Sequence, residues 1–203
     1  MIEPNIRAEQ VKALRDATGA GMMDCKRALQ EAGGDMARAT EILRERGHAG
    51  AQKRAGRSAT QGLIESYVHF NNSVGVLVEV NCETDFSANT DEFRALARDV
   101  ALHIASAMPQ WSTRDDVPEE ILGAERRIYE AEARQAGKRD NVIGRIVERK
   151  LEGFFETTVL VDQPFVKDTG KTIQQLLDEV SAAVGEKVAV RRFVRYKLGE
   201  ELD

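Results

Sequence analysis

The stretch Leu63-Ile64-Glu65-Ser66-Tyr67-Val68-His69-Phe70-Asn71-Asn72-Ser73-Val74-Gly75-Val76-Leu77-Val78-Glu79-Val80-Asn81 has a period of two along its length. Ile64, Ser66, Val68 and Phe70 alternate with Leu63, Glu65, Tyr67 and His69. After Asn71-Asn72, a turn pair, Val74, Val76, Val78 and Val80 alternate with Gly75, Leu77, Glu79 and Asn81. Two β-rich runs around an Asn-containing turn predict an antiparallel hairpin. Downstream the period becomes helical. Phe93, Leu96, Ala97, Val100, Ala101, Ile104 and Ala105 form one stripe within Asp91–Ala107, ended by Pro109. Pro118 opens another helix that stops near Gly137, and a further helix spans about Asn141–Phe154. The short connection between them predicts an antiparallel helical hairpin over about 118–154. Thr172–Val184 is helical and ends at Gly185. A last strand, Lys187–Leu198, alternates Val188, Val190, Val194 and Tyr196 with Ala189, Arg191, Phe193 and Arg195, and returns to the hairpin as the third strand of a small sheet.

Upstream, residues 1–47 read as three short helices. Glu9–Ala17 carries Val11 and Leu14 and stops at Thr18-Gly19-Ala20-Gly21. Asp24 is the expected cap of a second helix, with Ala28, Leu29 and Ala32, closed by Gly33-Gly34. Asp35 caps a third, with Met36, Ala39, Ile42 and Leu43, closed by Gly47. Residues 48–61 show no apolar period and read as a flexible basic linker with room for some helix. The expected class is α+β: a helical module (1–47), a linker (48–61) and a core domain (62–203) of three antiparallel strands with helices.

Composition excludes several functions. The net charge of −5 argues against broad nucleic-acid binding, DNA included. The charge is uneven: residues 1–59 carry 11 Lys/Arg against 8 Asp/Glu, whereas residues 60–203 carry 18 against 26. The basic excess near Lys53, Arg54 and Arg57 lacks interleaved aromatics for stacking on bases. No apolar run approaches the roughly 18 residues of a membrane helix, and the N-terminus has no apolar segment of a signal peptide. Cys25 and Cys82 are the only cysteines and lie at no metal-ligand spacing with His48, His69 or His103. The expectation is a reduced cytoplasmic protein with no metal and no cofactor.

No catalytic set assembles, so the chain does not read as an enzyme. Gly170-Lys171-Thr172 matches the tail of a phosphate-binding loop, but the position that needs its first glycine is Phe165. Gly19-Ala20-Gly21 has no preceding strand and reads as a turn. His69 alternates outward beside Tyr67, and His103 flanks the apolar stripe; neither reads as acid–base machinery. Two features call for a partner. Met22-Met23 follows the glycine turn, and two adjacent methionines cannot both face a small core, although one could. Thr84-Asp85-Phe86-Ser87 lies between the hairpin and the long helix, in a polar stretch rich in cap formers. Phe86 is either an apolar ring offered at a corner or a ring folded back on the core.

The same residues carry a resemblance. Leu14-Arg15-Asp16-Ala17-Thr18-Gly19-Ala20-Gly21-Met22-Met23-Asp24-Cys25-Lys26-Arg27-Ala28-Leu29 and Glu79-Val80-Asn81-Cys82-Glu83-Thr84-Asp85-Phe86-Ser87-Ala88-Asn89 resemble the two signatures of the elongation factor Ts family, and Gln163-Pro164-Phe165-Val166 resembles a further family segment. The likeness spans nearly the whole chain. Ser87 stands where valine is common, and the chain has room for one core subdomain where many members have two, so it looks like the short form. The resemblance implies a guanine nucleotide exchange factor for the GTPase elongation factor Tu, binding it GDP-bound and nucleotide-free and binding no nucleotide directly. It implies a ubiquitin-associated-like N-terminal module that docks through Arg15, Met22 and Met23. It also implies a loop, Thr84, Asp85, Phe86 and Ser87, that enters near the GTPase magnesium site, with Phe86 as wedge and Asp85 as its polar neighbour. An adaptor for ubiquitin-like partners would explain residues 1–47 but leave the corner idle. A nucleotide enzyme built on Gly170-Lys171-Thr172 would bind labelled GDP by itself. Three strands with apolar residues on both faces leave one face for a second copy, so a homodimer is expected.

Overall fold

The structure, a computed structural model, describes residues 6–201. The first three helices are α1 (Ala8–Thr18), α2 (Met22–Glu31) and α3 (Met36–Arg54). They close a small core of Val11, Leu14, Cys25, Ala28, Leu29, Ala39 and Ile42. Gly19 ends α1 at φ 68, a left-handed conformation that glycine adopts without strain. The Asp35 carboxylate accepts the Arg38 amide and caps α3 as expected.

Two sequence expectations fail here. Asp24 does not cap α2: the helix begins two residues earlier with Gly21 as its cap, and Asp24 lies in the first turn, paired with Arg27. A carboxylate in a first turn favours the helix dipole as a cap would, so the local signal is the same for both placements. Gly47 does not end α3, and the helix for which 48–61 left room is its continuation over residues 48–54. The reason is the neighbour. A side chain at Gly47 would meet Ala182 Cβ at 3.8 Å and the Asp178 carbonyl at 3.9 Å. Gly47, Gly50 and Ala51 recur at helical spacing and are half-buried. Their contact surface is made of small residues, which leave no apolar period to read.

The core domain is built on β1 (Gln61–Val68), β2 (Val74–Cys82) and, late in the chain, β5 (Ala189–Lys197), in the antiparallel order β1-β2-β5. Pairing sets the faces: Leu63 lies opposite Val80, Glu65 opposite Val78 and Tyr67 opposite Val76. The one-turn helix α4 (Asp85–Ala88) leads into α5 (Asp91–Ala107). The α5 stripe of Phe93, Leu96, Ala97, Val100, Ala101 and Ile104 packs on Val76, Val78 and Val80 to form the main core. Each large side chain buried there contributes on the order of 1.5–3 kcal/mol. A bulge between Glu79 and Val80 lets Arg191 and Arg192 both reach the Glu79 carboxylate, at 3.0 and 2.7 Å, and these bonds hold its carboxyl below the usual range.

The helical hairpin is α6 (Glu119–Gln135) and α7 (Asp140–Thr158), joined over Ala133, Ile143, Val147 and Leu151. Arg114 fastens its base, with ion pairs to Glu152 and Asp162 and its guanidinium 4.5 Å from the Phe155 ring centre. Two short strands follow, β3 (Pro164–Phe165) and β4 (Asp168–Thr172), then α8 (Ile173–Val184). His103 is fully buried. Its Nδ1 accepts the Val166 amide, so the proton is on Nε2, which donates to Gln163 Oε1 at 2.9 Å. Burial lowers its pKa, the Gln163 bond opposing, and the neutral imidazole fastens the 163–166 segment to α5.

At Gly62 the backbone of β1 leaves no room for a side chain against β2. The residue sits at φ 141, and a Cβ there would lie 2.1 Å from the Val80 carbonyl oxygen and 2.8 Å from Asn81 Cα. Both obstacles are backbone, so nothing can rotate away. Gly62→Ala is expected to destabilise the fold by about 2–5 kcal/mol, strain and clash together. Urea unfolding of the variant reads this as a lowered midpoint at unchanged slope; an unshifted midpoint would show that the hairpin yields freely at this point.

Candidate functional site

The polypeptide turns a corner after β2. Cys82 is buried and ends the strand. Thr84 then caps α4, its Oγ1 accepting the Ser87 amide at 3.3 Å, and Thr90 caps α5 in the same way. Two caps six residues apart stop α4 from merging with α5, so Phe86 and Phe93 do not share a stripe. Phe93 is fully buried, whereas Phe86 is 80% exposed. The open alternative is thereby decided: the ring is not folded back on the core. Asp85 and Thr84 are exposed beside it. Ser87 and Ala88 turn inward and are buried, so the outward surface of the predicted loop is Thr84, Asp85 and Phe86.

The corner is held from 102 residues away. Glu186, just past α8, accepts the backbone amides of Glu83 and Thr84 at 3.0 Å each and the Thr84 hydroxyl at 2.6 Å. Sequence reasoning assigned nothing to Glu186, because no local pattern marks a partner so far along the chain.

The N-terminal candidates lie elsewhere, on the helical module. Met22 and Met23 open α2 and are both exposed, at 44% and 64%; Arg15, in the last turn of α1, is exposed too. The alternative of one buried methionine is ruled out. Beneath them Cys25, Ala28 and Leu29 fill the α2 core positions. The corner instead packs on β1, β2 and α5. The two surfaces thus belong to different elements, joined through the docking of α3 on α8. There His48 Nδ1 lies 2.6 Å from Asp178 Oδ2, and Arg54 Nε donates to Ser181 Oγ at 3.2 Å. A groove of about 740 Å³ opens between these helices, lined in part by Arg44, His48, Lys171 and Glu179.

The phosphate-loop fragment is now placed. Gly170 and Lys171 lie on β4, antiparallel to β3, and Thr172 caps α8 through a reciprocal pair with Gln175. The Lys171 ammonium is taken by Glu179 at 2.7 Å. A phosphate cradle needs a parallel strand and a free ammonium, and this segment has neither. Among the described residues no three His, Cys, Asp or Glu side chains are grouped to hold a metal, and no helix is long and apolar enough to cross a membrane. His69 is taken up locally, with Tyr67 Oη 2.9 Å from its Nδ1.

Residues 26–200 match the family model described as Elongation factor TS. The chain is 53% identical over 197 residues to Elongation factor Ts of Carboxydothermus hydrogenoformans, an alignment covering 97% of this chain and 91% of that protein. It is 50% identical over 198 residues to Elongation factor Ts of Thermoanaerobacter sp., covering 98% and 97%. It is also 50% identical over 199 residues to that of Geobacter sulfurreducens, covering 98% and 92%. The two signatures and the segment around Gln163-Pro164 therefore lie within a likeness that runs the length of the fold, and the chain belongs to the elongation factor Ts family of translation elongation factors.

Proposed function

We propose that this chain loosens GDP from the GTPase elongation factor Tu by pressing Phe86, with Asp85 beside it, against the region that holds the magnesium ion and the nucleotide phosphates. The observation that carries this reading is an aromatic ring left 80% exposed on a corner whose Glu83, Thr84 and Ser87 amides are all hydrogen-bonded. In water such a ring costs on the order of 1.5–3 kcal/mol relative to burial, a deficit removed when a partner pocket takes it. The work is coupling rather than bond-making. Each tenfold loosening of GDP corresponds to about 1.4 kcal/mol of differential binding. In this reading residues 1–47 are the docking module, residues 62–203 are the core domain, and no nucleotide binds the chain itself.

Phe86→Ala is expected to lower GDP-release stimulation by about tenfold or more while leaving the melting temperature within about 2 °C, since the ring adds nothing to the core. Labelled GDP release from elongation factor Tu measures the first and thermal unfolding the second. Full stimulation by the folded variant would remove the wedge from the account.

Docking falls to Met22, Met23 and Arg15. Methionine suits a partner surface because its unbranched thioether adapts to the pocket it meets. Met22→Ser with Met23→Ser is expected to raise the concentration for half-maximal stimulation about tenfold, with the saturating rate little changed. An unchanged concentration would take docking away from these residues.

The sheet supports a twofold pair. On the face away from α5, Ile64, Val68, Leu77, Val194 and Tyr196 are exposed, and the register sets Leu77 opposite Val194. An apolar face of this kind is covered by packing sheet on sheet, and a second copy supplies a matching face. Light scattering at micromolar concentration is expected to give twice the chain mass of 22.5 kDa; a mass near the single-chain value would leave the face to another partner.

A further inference from the structure

β2 ends at Cys82 and α4 begins at Asp85, so the amides of Glu83 and Thr84 lie between two hydrogen-bonded elements. Donors in such a gap need an acceptor, and one that fixes direction does more for a presented side chain than water does. Here both amides converge on one oxygen of Glu186, and the Thr84 hydroxyl donates to the other. The same hydroxyl accepts the Ser87 amide, so a single proton-bridged chain runs from Glu186 through Thr84 into the turn that carries Phe86.

Glu186 is itself pinned. It follows Gly185, the left-handed end of α8 at φ 75, and its carbonyl accepts the Ser181 hydroxyl at 2.5 Å. The attachment is also reciprocal. The Glu83 carboxylate accepts the Lys187 amide at 2.7 Å and the Arg57 guanidinium at 3.2 Å, while the Lys187 ammonium donates to the carbonyls of Ala55 and Arg57. Residues 83–84 and 186–187 thus exchange backbone-to-carboxylate bonds in both directions, and the segment between α3 and β1 is tied into the same knot. Bonds to an ionised carboxylate are the strong ones. Burial raises the Glu186 pKa, but the bonds from Thr84, Ser87 and Glu83 outweigh it and hold the carboxyl below the usual range, so the acceptor stays ionised.

We propose that Glu186 is a positioning residue of the exchange reaction: through Thr84 it holds the 83–86 corner in one orientation, so that Phe86 reaches the GTPase already ordered. This rests on the reading of Phe86 as the wedge. Ordering done in the free protein need not be done again at each insertion, so the gain falls on the rate at saturation rather than on docking. Glu186→Gln keeps the shape but puts a donor where one of the two acceptors stood.

The test uses the full chain as wild type, Glu186→Gln, Phe86→Ala and the double variant, with labelled GDP release from elongation factor Tu followed against exchange-factor concentration. Rates are taken per folded molecule from the melting curve. The expected result for Glu186→Gln is a saturating rate lowered about tenfold, a half-maximal concentration changed less than about twofold, and faster hydrogen exchange at the Glu83 and Thr84 amides. In the Phe86→Ala background the same change is expected to cost nothing further, because the residue acts through the ring. A wild-type saturating rate in Glu186→Gln overturns the proposal, and so does an equal loss in both backgrounds, which marks a merely structural residue. If wild type itself leaves GDP release unchanged, the exchange reading falls first and this proposal with it.

Discussion

The corner at Glu83-Thr84 is the constraint on which the functional reading of this molecule depends. A phenylalanine next to an apolar core turns inward unless its backbone is held against that motion. Here the backbone is held at both ends: Cys82 is locked in β2, Thr90 caps α5, and between them the amides of Glu83 and Thr84 are taken by Glu186. The fold therefore keeps the Phe86 ring exposed at a hydrophobic cost. Glu186 is brought to that corner by the left-handed end of α8 and by Lys187, whose amide is bonded to Glu83 just before β5 begins beside β2.

The helical module is tied to the same framework more closely than its composition suggests. Its third helix runs on through Gly47 to Arg54 and lies on α8 by way of small residues. Asp178 is nearly buried there, between His48 and Gln174, and Ser181 serves both Arg54 and the carbonyl of Glu186. The helix that receives the module is thus the one whose end positions Glu186. Most of the surface ion pairs in the molecule contribute little individually. The Arg114 group at the base of the helical hairpin is stronger in form, since its planar fork meets two carboxylates and an aromatic face together.

Much of this was legible in the residues. The valine alternation in β2 and the apolar stripe from Phe93 to Ile104 determine two elements and their contact, and α5 spans the expected Asp91–Ala107. The exposed corner was legible as a choice between two states, because Thr84, Ser87, Asn89 and Thr90 announce caps without saying which way Phe86 turns. What was hidden is long-range or made of small side chains. Glu186 has no local signature, its partners being more than a hundred residues away. The α3 extension has a helical period of glycine and alanine, which hydropathy does not see. Asp24 illustrates a third limit, since a carboxylate is favourable both as a cap and one turn into a helix.

An exchange factor is defined by linkage: whatever it does to GDP affinity, GDP does to its own. The most direct measurement is therefore the dissociation constant of this chain for elongation factor Tu, taken once without nucleotide and once with GDP bound. The account predicts markedly weaker binding to the GDP form, by the same factor by which the chain weakens GDP. Equal dissociation constants for the two forms would contradict it, since a partner that binds both states alike shifts neither.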